Sequence, residues 1–285
     1  MSIDRGHRGR FYYGAQGGQG TPGSPVLPAG YYENLRINEV EGTEAVRSAG
    51  ARRPVELEEG MWGIEWGYDI PKVQGSAAAL LWLNYALATG SPPDLTWLTL
   101  AYGDSRGQWA VQDCRVDTQD FTLDNTGWVR GSMGGFGGKV STTTLPVQTF
   151  IAGTGFAVHE AVFSLFELAS LRLSLRNNLR MTPVIAGPAT TRNPVRKWDY
   201  LLLGPEDVSG TLGLYNVSGY DLAAPDLPSL SPTLTLTNKA NPYEADLLTI
   251  NGLKFVNSQL TIPGADPDIE WEVPFLALYY TFAAV

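Results

Sequence analysis

The stretch Ser170-Leu-Arg-Leu-Ser-Leu-Arg176 decides how this chain is read. Leu171, Leu173 and Leu175 alternate with Arg172, Ser174 and Arg176. A period of two puts the leucines on one face of a strand and the polar residues on the other, the pattern of a half-buried strand. Working outward, the same alternation recurs. Trp62, Ile64 and Trp66 alternate with Gly63, Glu65 and Gly67, and Ile269, Trp271 and Val273 alternate with Glu270 and Glu272. Leu98 and Leu100 alternate with threonine and alanine, Leu234 and Leu236 sit between threonines, and Phe275 to Phe282 is a further aromatic strand. With 32 Gly, 19 Pro, 44% hydrophobic and 17% charged residues among 285, the composition suits many short strands joined by turns around a sizeable core. The predicted class is all-β, made of sandwich or barrel domains.

One helix interrupts the pattern. Ser76 is its candidate N-cap, Ala77 to Ala88 are good helix formers, and Gly90 with Pro92 closes it, which predicts a short helix around residues 76–89. Apart from Asn84 it is apolar nearly all round, so it is expected to be buried on several sides, over a sheet or between subunits.

The chain also reads as internally repeated. Asn34-Leu-Arg-Ile37 matches Ser170-Leu-Arg-Leu173 and Trp97-Leu-Thr-Leu100 matches Thr233-Leu-Thr-Leu236, both at an offset of 136. Ala49-Gly50 matches Ala186-Gly187 at 137, Asp113-Cys-Arg-Val116 matches Gly252-Leu-Lys-Phe255 at 139, and Gly63 matches Gly210 at 147. The common order predicts a duplication. The expected organisation is an N-terminal arm over residues 1–25, one β domain over 26–140, a Ser/Thr/Gly-rich linker over 141–166 and a second β domain over 167–285. The helix falls in the first copy; its counterpart near Tyr220 to Leu230 carries Pro225 and Pro228 and is expected to be shortened or lost.

In the arm, Gly14 to Gly23 has too little apolar content to build a core. Arg5, Arg8, Arg10, Phe11, Tyr12 and Tyr13 around it are the candidate contacts with a neighbouring subunit. The net charge of −9 is uneven: up to Trp198 there are 18 basic and 18 acidic residues, and from Asp199 onward 2 and 11. An acidic surface repels phosphates, which argues against a DNA-gripping domain and suits a passage that DNA slides through. The same excess also serves solubility.

Little points to catalysis. The single Cys114 excludes a disulfide framework and any cysteine metal site, and fits cytoplasmic assembly. The only histidines, His7 and His159, have no metal-ligand spacing, and no GxSxG elbow accompanies them. Gly18-Gln-Gly20-Thr-Pro-Gly23 matches GxGxxG but has no strand before it and prolines where a helix would follow. Gly134-Gly-Phe-Gly-Gly-Lys139 is followed by Val140 where a phosphate loop needs Ser or Thr, so a glycine-rich hairpin or a close backbone approach is expected. Asp113, Asp117, Asp120 and Asp124 match no calcium loop and read as a solvated strand edge. The tryptophans in phase with aliphatic neighbours read as core rather than as a sugar platform. No signal peptide is expected at Met1 to Arg10, and Ala77 to Leu83 is far short of the roughly 20 apolar residues of a membrane span. The expectation is a non-enzymatic structural protein without cofactor, metal or membrane anchor.

The order of motifs resembles the tail tube proteins of long-tailed (siphophage-like) bacteriophages. The glycine-rich Tyr13-Gly14…Gly20-Thr-Pro-Gly23 is similar to the family's opening stretch. Glu44-Ala-Val-Arg47…Gly50-Ala-Arg-Arg-Pro54 resembles the segment after its first strand. Leu80-Leu81…Leu87-Ala-Thr-Gly90 resembles its single helix, and Trp109…Asp113-Cys-Arg-Val-Asp117…Phe121-Thr-Leu123 and Val129-Arg-Gly-Ser132…Gly137 resemble its next strands. Ala169-Ser-Leu-Arg-Leu-Ser-Leu-Arg-Asn-Asn-Leu179 is similar to the signature opening the second half, and Val208-Ser-Gly-Thr-Leu212 to a later strand. The resemblance implies a virion tail protein, assembled in the host cytoplasm. Its sheets join into rings, and the rings stack into a hollow tube through which genomic DNA passes without specific binding. It implies the tape measure protein and the tail terminator as partners. Two tube domains per chain imply a trimeric ring with pseudo-sixfold symmetry; one implies a hexamer. The basic arm is expected to cross to the next ring and meet its acidic face. A capsid decoration or tail terminator protein and a carbohydrate-binding β-sandwich module are the competing readings.

Overall fold

A computed structural model describes residues 10–30, 32–46, 56–73, 77–103, 107–124, 129–145, 156–163, 167–183, 198–215, 231–238, 241–256 and 271–282. Among the described residues the chain is all-β with one short helix, as its alternating patterns predict.

Eight strands hydrogen-bond into one antiparallel sheet. They are β3 (Glu33–Val46), β4 (Glu56–Ile70), β7 (Arg130–Gly137), the second half of β6 (Gln108–Asp124), β10 (Glu167–Arg176), β13 (Asp207–Tyr215), β17 (Trp271–Ala277) and β16 (Lys254–Phe255), in that spatial order. β6 is 17 residues long and serves two layers. Its first half pairs with β5 (Leu98–Gly103) and β8 (Lys139–Thr142), and β5 continues through β1 (Arg10–Ala15) to β2 (Leu27–Pro28). A separate sheet runs β9 (Phe156–Phe163), β14 (Thr233–Asn238), β15 (Asn241–Asn251), β18 (Tyr279–Phe282). Among the described residues, β11 (Arg180–Pro183) and β12 (Trp198–Leu202) form a two-stranded antiparallel sheet.

One core cluster lies beneath the long sheet. It takes Ile64, Trp66 and Tyr68 from β4, Phe121 and Leu123 from β6, Leu171, Leu173 and Leu175 from β10, Leu212 from β13, Phe275 from β17, and Tyr280 and Phe282 from β18. The leucines of the deciding stretch are buried and Arg172 is exposed, as the period of two requires. The helix α1 (Ala77–Asn84) sits in this core: Leu80 and Trp82 are fully buried, while Leu81 is exposed. It is shorter than expected, the candidate cap Ser76 lies outside the described residues, and Asn84 serves packing instead of solvent. Its amide donates to the Phe282 carbonyl at 2.8 Å and its oxygen accepts the Phe282 N–H at 2.9 Å.

Trp82 is the hub. Its ring meets Phe11, Tyr13, Trp66 and Tyr85, and its Nε1–H donates to the Tyr68 hydroxyl. On the other side, the Tyr280 hydroxyl donates to Gln119, whose amide donates to the Leu83 carbonyl at 3.1 Å. Burial raises the hydroxyl pKa of Tyr68 and Tyr280 above the ordinary value near 10. The unfolded chain therefore releases these protons first, so stability present below pH 10 is lost as pH rises beyond it. Thermal unfolding followed from pH 9 to 11.5 is expected to show a steepening fall of melting temperature above pH 10. Tyr68→Phe with Tyr280→Phe should flatten it; an unchanged slope in the double variant would assign the alkaline loss elsewhere.

The structure differs from the expected organisation in three places. Phe11, Tyr12 and Tyr13, taken as part of an arm, lie in β1 and are buried in the chain's own core, where β5 supplies their hydrogen-bond partners. The segment expected as linker, 141–166, contains β9 and the end of β8. The two halves are not separate sheets, because β6 pairs directly with β10 from Ser170↔Asp124 to Arg176↔Thr118.

Candidate functional site: the edges of the long sheet

The feature that sets this chain apart is how its long sheet begins and ends. Among the described residues, β3 at one end pairs only with β4, and β16 at the other pairs only with β17. An open edge presents a row of backbone donors and acceptors, a template for another strand. The β16 end also exposes apolar groups together: Val256, Leu276, Leu278 and Tyr279, with Leu278 at 73%. Apolar groups gathered beside an open edge mark an interaction surface.

The internal junction between β6 and β10 shows what such an edge carries when it is filled. On its outward face Ser174 donates to Asp120 at 2.7 Å, and the Arg176 guanidinium meets the same carboxylate at 3.0 Å. On its inward face Leu173 lies opposite Phe121 and Leu171 opposite Leu123. Beyond the strand, Asn177 is fully buried and donates to the carbonyls of Ala86 at 2.8 Å and Val116 at 3.0 Å. The Leu179 N–H reaches Asp117 at 2.7 Å, and desolvation nevertheless raises the carboxyl of Asp117. Three of the four aspartates expected on a solvated edge are engaged: Asp113 accepts from the Gly20 N–H at 2.7 Å, and Asp117 and Asp120 hold the junction, while the Asp124 side chain lies outside the described part.

The outward face of the long sheet is polar and mixed in sign. Arg36 and Asn38 on β3, Glu65 on β4, Thr118 and Asp120 on β6, and Arg172 on β10 all point away from the core. Glycines keep this part of the sheet tightly packed, as expected of the 134–139 run: a Cβ on Gly135 would sit on the Arg115 carbonyl oxygen.

Of the residues singled out beforehand, Arg5 and Arg8 lie outside the described residues, and Arg10 opens β1 opposite Gly103. Phe11, Tyr12 and Tyr13 belong to the core and are not available to a neighbour. The short aromatic run read as a sticky arm because its glycine-rich sequel hid the strand pairing. Burial pushes the Cys114 thiol up, which leaves it an inert core group. Arg115 is likewise structural. It lies over Trp97 at 3.8 Å and pairs with Asp94 at 2.8 Å, and burial lowers its pKa. His159 lies in β9 and His7 outside the described residues. Among the described residues, no group of three or more His, Cys, Asp or Glu is placed to hold a metal, and no helix is long and apolar enough to cross a membrane.

No protein-family model matches the chain, and no curated protein is significantly similar to it.

Proposed function

We propose that this chain is a non-enzymatic structural subunit that assembles with copies of itself into rings. The rings stack into a tube of the kind found in bacteriophage tails, a hollow conduit for genomic DNA. The observation that carries the reading is the long sheet, which among the described residues has eight strands and an open strand at each end, β3 and β16. Two different edges on one subunit join head to tail, and head-to-tail contacts generate closed rings when the rotation closes. A closed sheet also abolishes the edge liability. The core-facing side of the sheet is already covered, so the polar outward side is the one left to line the passage. Its charges are mixed in sign, Arg36 and Arg172 against Glu65 and Asp120, which differs from the continuous cationic track that grips a phosphate backbone. Chains with two tube units favour a trimer of pseudo-sixfold symmetry, and a hexamer is the alternative. The tape measure protein and the tail terminator are the partners such a tube requires.

Negative-stain electron microscopy of the purified protein at high concentration is expected to show rings or tubes with a central hole. Class averages separate a trimer of two-unit chains from a hexamer. Dispersed monomers would overturn the proposal.

A further inference from the structure

The strand pairing of the first half recurs in the second. β3–β4–β7–β6 corresponds to β10–β13–β17–β16, and β1–β5–β6–β8 corresponds to β9–β14–β15–β18. The register fixes the equivalences. Arg115 pairs with Phe136 where Lys254 pairs with Leu276, and Val111↔Val140 answers to Ile250↔Tyr280. Asp113 and Gly252, at matching positions, both take positive φ, 56° and 66°. The Gly138 N–H bonds to the Gln112 carbonyl at 2.8 Å, as the Leu278 N–H does to Asn251 at 2.9 Å. These contacts yield the sequence match of Asp113–Val116 with Gly252–Phe255, and the β3 and β10 registers yield that of Asn34–Ile37 with Ser170–Leu173. The Gly63–Gly210 match is displaced: Gly210 lies opposite Phe275, in the place that Trp66 holds opposite Gly135.

One pairing has no counterpart among the described residues, namely β6 with β10. Its counterpart would join β3 to the residues that follow β16 in sequence, and β3 and β16 lie at opposite ends of the same sheet. We infer that the open edge of β3 receives, from a second copy of this chain, the segment Asn257–Pro263, antiparallel, with Ile37 opposite Leu260 and Asn38 opposite Gln259. The register is that of β10 on β6, carried over residue by residue: Leu173↔Phe121 becomes Ile37↔Leu260, and Ser174↔Asp120 becomes Asn38↔Gln259. The chemistry follows it. Thr118-Gln-Asp-Phe-Thr-Leu123 and Asn257-Ser-Gln-Leu-Thr-Ile262 share their polar and apolar positions, and Pro263 stands where the first copy has Asp124. The pair Arg172↔Thr122 recurs as Arg36↔Thr261, and the hydrogen-bonded Ser174 and Asp120 are replaced by two amides able to bond each other. Leu35 and Ile37 are only partly buried in one chain, and a Leu260–Ile262 pair would cover them. The exposed Val256, Leu276 and Leu278 lie beside the entering strand's own end and would be covered by the neighbour. The inference rests on the ring reading and names the contact that builds the ring.

The test uses the full-length chain and cysteine pairs. Directly opposed residues of antiparallel strands have Cα atoms roughly 4.5–5.5 Å apart, within disulfide range, and residues displaced by two do not. Asn38→Cys mixed with Gln259→Cys, as two single variants, is expected to give a disulfide-linked heterodimer under mild oxidation. The yield should be several-fold above that of Asn38→Cys mixed with Asn257→Cys. The sites are polar, and each variant's melting curve establishes that it is folded. Hollow rings in the microscope with no link at 38/259, or with equal links at 257, would overturn the contact and leave the ring reading standing. A strong 38/259 link in particles without a central hole would support the contact and overturn the conduit. Neither rings nor link would overturn both.

Discussion

Trp82→Ala is expected to destabilise the chain by about 3–5 kcal/mol, the range for deleting a fully buried large aromatic group. The indole is 0% exposed and stands between four aromatic rings, two of them on β1 and one on β4. Removing it leaves a void that rigid strands on both sides cannot fill, and it leaves the Tyr68 hydroxyl without its donor. Against a total stability of typically 5–15 kcal/mol, that loss is a large part. Urea unfolding followed by circular dichroism measures it, and Trp82→Phe, which keeps an apolar ring, should lose clearly less. A loss under about 1 kcal/mol for the alanine variant would mean that the helix does not anchor the first layer to the long sheet.

Gly135→Ala is the second change with a large expected effect, although it adds one methyl group. Gly135 lies on β7 opposite both Trp66 of β4 and Val116 of β6, and an added Cβ meets the Arg115 carbonyl and the Asp117 N–H. These are backbone atoms of the next strand, so no side-chain rotation relieves the contact. The strands must separate where three of them are in register. Overpacking of this kind costs about 1–3 kcal/mol and more when the backbone has to move. Because the site is in the long sheet, the variant is expected both to melt earlier and to assemble less at equal folded fraction. Gly17→Ala is the matched control, since nothing lies within 4 Å of an added Cβ there. Equal melting of the two variants would count against the tight β6–β7 approach.

The strands, the helix and the faces they bury follow from local pattern. Alternation at Leu171–Leu175 and at Ile64–Trp66 marks strand and buried side at once, because side-chain direction has a period of two whatever the strand packs against. Likewise the helix formers from Ala77 onward, closed by Gly90 and Pro92, mark a short helix, and their apolar character marks it as largely buried. What the local pattern does not carry is pairing between distant strands. Phe11–Tyr13 looked like part of an arm because its partner strand lies at Leu98–Gly103, far along the chain, and nothing in a glycine-rich sequel announces it. The junction of β6 with β10, and with it the two edges left open, exists only once register is set by three-dimensional packing. Hydrogen bonds between backbones are blind to side-chain identity, so which edge meets which is decided by the tertiary structure alone.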